Sequence, residues 1–302
     1  MSDWLMKVST GARRAGGGMS HGAAGGGAPL RPGAAGTRPR HRLIALPHAG
    51  GWPSAFRSWR HVLPDDVEFL VGQLPGRGPR MNEPPLRRVE ELVEGLGGAL
   101  SDLDPLPYTI IGHSFGSVLG YELTKAMEHK GLPPQLLAVS ARQPPCFPSE
   151  APYAHQRTDA ELLAHLVDMG GMSPELMSRT ELVRPALRAI RADLEAMETY
   201  RRPLSGTSVP ILSLGAVDDP VVISERLHLW SLETTGTFTR LMFTGGHFYL
   251  YDPDTAASIA QHLAIDSGMP STGNNTTAPP RRRAALAYVP GGGPMNLREE
   301  SS

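Results

Sequence analysis

Tyr108-Thr-Ile-Ile-Gly-His-Ser-Phe-Gly-Ser-Val-Leu-Gly-Tyr-Glu-Leu123 is the stretch on which the fold turns. Its first four residues form a short apolar run of the kind that fills a buried strand. From Ser117 to His129 the pattern changes to a helix: Leu119, Leu123 and Met127 recur every four residues, and Gly131 closes the segment. Between strand and helix stands Gly112-His113-Ser114-Phe115-Gly116. A serine in so tight a strand-to-helix turn must take strained backbone angles, and flanking glycines let neighbouring chain pass close by. A bare Gly-x-Ser-x-Gly arises by chance in a chain rich in both residues. The strand before it and the helix after it make it a predicted nucleophile elbow at Ser114.

Outward from this turn the alternation continues. Arg42 to Leu46, Val67 to Val71, Leu136 to Ser140, Pro210 to Leu214 and Phe238 to Phe243 read as further buried strands. Val89 to Leu100, Ser224 to Glu233 and Ala256 to Leu263 read as helices. Strands alternating with helices predict an α/β fold with a mostly parallel sheet covered on both faces. One segment departs from the rhythm. From about 147 to 205 the pattern is helical throughout, with pieces at Ala160 to Val167, Pro174 to Met177 and Leu182 to Tyr200. A helical insert between two strands of an open sheet is expected to form a lid over the carboxyl edge.

The ends read differently. Residues 1–40 hold ten glycines, a net charge of +5 and few large apolar side chains, so they are expected to form a disordered arm. Arg13-Arg14 is followed by Ala-Gly-Gly-Gly rather than an apolar run, which argues against an export signal. Residues 266–302, with Asn274-Asn275-Thr276-Thr277 and Arg281-Arg282-Arg283, are expected to be a disordered tail. The predicted domain, 41–265, carries a net charge of −7 inside a chain whose net charge is −1, which excludes a generally basic nucleic-acid binder. No apolar stretch reaches the 18 or so residues that span a bilayer. The single cysteine, Cys146, rules out an internal disulfide framework and fits a reducing, cytoplasmic setting.

A serine hydroxyl needs a base, and a base needs an orienting acid. Among eleven histidines, His247 stands apart: Gly245-Gly246-His247 follows the last strand-like run, at the edge toward which Ser114 should point. Asp218-Asp219-Pro220 follows the strand ending at Leu214, and the pattern alone leaves either aspartate open as the acid. The order serine, aspartate, histidine is that of the α/β-hydrolase fold. Two oxyanion donors are expected, the backbone N–H of Phe115 and that of Ala49 in the loop Leu46-Pro47-His48-Ala49-Gly50-Gly51. His48 is expected to brace this loop by hydrogen bonding.

Taken in order, Leu-Pro-His-Ala-Gly-Gly (46–51), Gln73-Leu-Pro-Gly-Arg-Gly-Pro-Arg80, Gly-His-Ser-Phe-Gly (112–116), Asp-Asp-Pro (218–220) and Gly-Gly-His-Phe (245–248) resemble the type II thioesterases of polyketide and non-ribosomal peptide synthesis. The resemblance spans about 41–265 and includes Ala-Glu-Leu-Leu-Ala-His-Leu (160–166), Arg-Ala-Asp (191–193) and Glu198-Thr-Tyr200. One departure is Leu46, where members of the family often carry phenylalanine. The resemblance implies an α/β-hydrolase fold with a helical lid, a triad of Ser114, Asp219 (the residue before the proline) and His247, and oxyanion donors at Ala49 and Phe115.

It also implies the chemistry: an acyl thioester on the phosphopantetheine arm of an acyl or peptidyl carrier protein is hydrolysed through an acyl-serine, with no metal or redox cofactor. A monomer is expected, with carrier proteins as partners and neither nucleic acid nor membrane. The lid methionines Met169, Met172 and Met177 are candidates either for an adaptable acyl pocket or for plain packing. Two competing expectations are a broad carboxylesterase or lipase acting on free esters, and a non-catalytic carrier-binding module with a vestigial pocket.

Overall fold

A computed structural model describes residues 3–8, 38–149, 151–171, 180–201 and 206–263. Seven strands form one sheet: β1 (Leu5–Lys7), β2 (His41–Leu46), β3 (Val67–Gly72), β4 (Tyr108–His113), β5 (Leu136–Ser140), β6 (Ile211–Ala216) and β7 (Phe238–Phe243). Their spatial order is β1-β3-β2-β4-β5-β6-β7, all parallel except β1. The six expected apolar runs are therefore the six parallel strands. The seventh corrects the reading of the N-terminal arm. Leu5–Lys7 pairs antiparallel with Leu70–Gly72 at the sheet edge, and Trp4 lies under the Arg80 guanidinium, 4.4 Å from ring centroid to Arg80 Cζ. Three residues are too few to show a period, so pattern alone could not announce this strand.

Successive residues along each strand point to opposite faces. In β2, Ile44 and Leu46 join Leu92, Leu96, Leu119, Leu123 and Met127 from α1 (Val89–Ser101) and α2 (Phe115–His129). Leu43 and Ala45 join Phe56, Trp59, Leu250 and Ile259 on the other face. The central strands are buried on both sides, which is why they read as continuous apolar runs rather than alternating ones. The stripe expected from Leu119, Leu123 and Met127 is fully buried.

The segment Ser224–Glu233 is a run of 3₁₀ turns rather than the expected helix. Its buried residues, Leu227, Trp230 and Glu233, recur every third position, which suits three residues per turn. The last helix begins before its expected start. Between β5 and β6 lies the helical insert, with α3 (Asp159–Asp168) and α4 (Thr180–Thr199). Thr158 and Glu161 form a reciprocal capping box at the start of α3. Leu162, Leu163, Leu166, Val183, Leu187, Ile190 and Leu194 make a small apolar core of the lid's own. The expected piece at Pro174 to Met177 falls outside the described residues. Downstream of β7, α5 (Pro253–Ala260) starts at an Asp252 cap that accepts from the Thr255 N–H at 2.9 Å, with Pro253 at its first position.

Strand order decides where a site can form. The chain runs from β2 to β3 on one side, then crosses back to β4 on the other side of β2. At such a switch point the loops after β2 and β4 part company and leave a crevice at the carboxyl edge. The β2 loop carries Ala49 and the β4 turn carries Ser114.

Candidate active site

Ser114 links β4 to α2 at φ 54°, ψ −114°, a region that non-glycine residues enter only when their surroundings hold them there. Its N–H donates to the Ser140 carbonyl at 2.8 Å. The Ser117 hydroxyl reinforces the turn, donating to the Gly112 carbonyl (2.9 Å) and accepting from the Ser140 N–H (3.0 Å). The two glycines answer a packing demand. A methyl group at Gly112 would strike the Gly116 carbonyl, and one at Gly116 would strike the carbonyl of Leu46. Phe115 is the first residue of α2, so its N–H has no carbonyl one turn earlier and is available to a ligand.

His247 follows β7 and is buried. Its Nδ1 lies 2.9 Å from Asp219 Oδ2 and 3.1 Å from Oδ1, and the Asp219 side chain is 1% exposed. Asp219 Oδ1 also accepts from the Val221 N–H at 2.8 Å, which fixes the carboxylate on its turn. Asp218 instead accepts from the Gly245 N–H at 3.3 Å. The choice that the Asp-Asp-Pro pattern left open thus falls geometrically on Asp219. With Nδ1 engaged, Nε2 is the nitrogen left for chemistry. Ser114 and His247 line one cavity of about 940 Å³.

Two further imidazoles surround this pair. His48 Nδ1 lies 2.6 Å from the Tyr251 hydroxyl, which is the bracing expected of it. Burial, aided by the nearby His247 and Arg77, holds its pKa down at about 3. His113 is buried with its ring 5.4 Å from that of His247, and its Nδ1 lies 2.9 Å from Ser140 Oγ, which in turn is 2.7 Å from the Tyr249 hydroxyl. Burial first, and then His247 and His48, keep His113 well below the ordinary histidine range. Both rings are neutral at physiological pH, so they pack beside His247 without adding positive charge.

The loop after β2 meets the lid. Ala49 and Gly50 line the cavity together with Leu166, Met169, Ala186, Ile190 and Leu194. The Gly50 N–H donates to Asp193 Oδ2 of α4 at 2.7 Å, and the same carboxylate receives Arg77 from the loop after β3 at 2.5 and 2.7 Å. Within the lid, Glu198 ties α4 to the preceding segment, accepting from the Ala154 N–H (2.8 Å) and the His155 N–H (3.0 Å), with His155 Nδ1 at 2.6 Å. Met169 does line the cavity, whereas Met172 and Met177 lie outside the described residues. Among the described residues, no cluster of histidine, cysteine, aspartate or glutamate is placed to hold a metal ion. Likewise, none of their helices is long and apolar enough to cross a membrane.

Sequence reasoning quoted Gly-Arg-Gly-Pro-Arg and Arg-Ala-Asp but gave Arg77 and Asp193 no role, because nothing in one chain pairs residues 116 positions apart. It also passed over Arg142, which lines the cavity with a buried Nε that has no hydrogen-bond partner among the described residues. Arg142 follows Ala141, whose φ of 51° makes it the second strained non-glycine residue on this rim.

Comparison with known proteins identifies the family. Residues 41–265 match the family described as the thioesterase domain. The chain is 34% identical over 234 residues to the thioesterase PikA5 of Streptomyces venezuelae, covering 76% of this chain and 83% of that protein. It is 30% identical over 213 residues to the gramicidin S biosynthesis protein GrsT of Aneurinibacillus migulanus, covering 70% and 83%. Among solved structures, the type II thioesterase BorB of the borrelidin biosynthetic cluster superposes with a TM-score of 0.71 at 34% identity, over 87% of this chain and 98% of that one. The RedJ thioesterase of the prodiginine pathway in Streptomyces coelicolor gives 0.68 at 33%, over 78% and 90%.

Proposed function

This chain belongs to the thioesterase family, and on that premise we propose that it hydrolyses acyl thioesters carried on the phosphopantetheine arm of acyl or peptidyl carrier proteins, clearing stalled or misprimed groups from a synthase in the cytoplasm. His247 Nε2 takes the proton from Ser114 Oγ as that oxygen attacks the thioester carbonyl. The tetrahedral oxyanion receives the N–H groups of Phe115 and Ala49. Collapse breaks the carbon–sulfur bond, and the imidazolium of His247 protonates the departing thiolate. Water, deprotonated by the same imidazole, then attacks the acyl-Ser114 ester and releases the acid. Asp219 stays ionised throughout, fixing the tautomer and stabilising the imidazolium. Every proton shuttles between Ser114, His247, thiolate and water, so the scheme calls for no metal or redox cofactor.

The observation that carries this reading is the Asp219–His247 pair at 2.9 Å, with His247 lining the cavity that the strained Ser114 and the Ala49 loop also line. The domain is itself acidic, so recognition of an acidic carrier must rest on a local basic patch rather than on overall attraction.

Incubation with a panel of acyl-loaded carrier proteins, followed by mass spectrometry of the released acids, tests the proposal. Release of short acyl groups is expected, and Ser114→Ala should reduce it by at least about a thousandfold. A fluorophosphonate probe should add its mass to the wild type and leave the Ser114→Ala variant unlabelled. Equal release by wild type and variant refutes the scheme. Turnover of soluble esters well above carrier thioesters points instead to a general esterase, and an unlabelled wild type points to a binding module.

A further inference from the structure

The strongest arrangement outside the triad is the three-way junction at Asp193. One carboxylate, with no exposed surface, joins three separate parts of the molecule. It belongs to the lid helix α4. It accepts from the Gly50 N–H of the loop after β2, next in the chain to Ala49, and bidentately from Arg77 of the loop after β3. Arg77 is itself tied to the body of the protein, since its Nε and Nη2 both donate to the Pro75 carbonyl at 3.3 Å. Ile190 lies one turn before Asp193 on α4, so both project from one helix face. Gly50 sits at φ 74°, and a side chain there would run into the Ile190 side chain. The lid helix thus presses on the oxyanion loop through an apolar contact and holds it through a charged one.

We propose that Asp193 and Arg77 are positioning residues for the oxyanion hole, so that the Ala49 N–H takes its working orientation only while α4 is seated on the loop. The inference rests on the assignment of Ala49 as an oxyanion donor. Its chemistry is specific to a carboxylate. Two lone-pair directions face the planar guanidinium and a third faces the Gly50 N–H, so one acceptor-only group receives all three donors. An asparagine would turn an N–H₂ group toward one of these donors. Lid departure removes the acceptor of the Gly50 N–H and the ceiling over the loop in one movement. Competence for transition-state stabilisation is then coupled to lid closure, and an open enzyme that has not enclosed a substrate is a poor hydrolase.

The test compares Asp193→Asn, Arg77→Met and Arg77→Lys with the full-length wild type, all checked by thermal melting. In Asp193→Asn and Arg77→Met, kcat for an acyl-carrier thioester should fall roughly ten- to hundredfold with KM within about twofold, because the lost interaction acts on the transition state. Affinity for an alkyl trifluoromethyl ketone, whose adduct places an oxyanion in the hole, should fall in parallel, while affinity for the matching ketone-free thioether stays level. Arg77→Lys should recover part of the loss. A purely structural strut would lower the melting temperature without separating the two ligands, and that result overturns the proposal. Amide hydrogen exchange of the peptide containing 48–51 supplies a readout that needs no turnover. Faster exchange there in Asp193→Asn supports the junction even if carrier thioesters prove to be the wrong substrate, and unchanged exchange refutes it.

Discussion

The strand rim and the helical lid are assembled by different means. At the rim, backbone geometry does the placing: Ser114 is pinned through its own N–H and the Ser117 bridge, and His247 and Asp219 follow adjacent strands β7 and β6. The lid has a separate apolar core; Asp193 of α4 ties it to the loop after β2, and Glu198 of α4 ties that helix to the segment at 154–155 within the lid. The geometry of the Ser114 turn is thus set by the sheet, whereas the loop after β2 takes part of its shape from the lid. One half of the proposed machinery is rigid by construction, and the other depends on where a helix sits.

Substitutions should separate the two regions. Asp219→Asn acts on the rim: the His247 tautomer is no longer fixed, and kcat should fall by about 10³–10⁴ with the melting temperature nearly unchanged. Asp193→Ala acts on the junction: it strands the buried Arg77 charge and should cost about 3–5 kcal/mol of stability, read from urea unfolding, with a smaller loss of kcat than at Asp219. If Asp219→Asn destabilises as strongly as Asp193→Ala, the division between a chemical rim and a structural junction breaks down.

A smaller effect sharpens the comparison through pH. His48 is held down at about 3 and His113 well below 6.5, so the unfolded chain takes up protons at these positions that the folded chain refuses. Their contribution is complete above about pH 6.5 and is lost as pH falls below it, for His48 by about 1.4 kcal/mol per pH unit. Stability measured between pH 7 and 5 should therefore decline less steeply in His48→Gln than in the wild type, and a substitution at the lid residue Glu161, which faces solvent, should leave the His48-dependent difference intact. Parallel wild-type and His48→Gln curves would show that His48 ionises freely in the folded protein.

Much of the rim was legible because its signals are local. The Ser114 turn announces itself by a strand, two glycines and a helix within about twenty residues, and Gly245-Gly246-His247 lies directly after a strand. The lid was legible as helix but not as contact. The pattern marked Leu182 to Tyr200 as helical, yet it carried no sign that Asp193 faces inward against Arg77. The edge strand at Leu5–Lys7 was hidden by its length and by the glycine-rich text around it. The 3₁₀ turns at Ser224–Glu233 were read as an α-helix because periods of 3.0 and 3.6 differ little over ten residues.

By itself, then, the sequence determined the alternation of strands and helices, the strained turn at Ser114 and the chain order of serine, aspartate and histidine, since each follows from side-chain period or from steric limits within a few residues. The tertiary structure put Asp219, the aspartate that the family resemblance implied, against His247, and it alone brought Arg77 and Asp193 together across the chain and seated α4 over Gly50. Those outcomes depend on which buried polar groups must share partners once water is excluded, and no local pattern records that constraint.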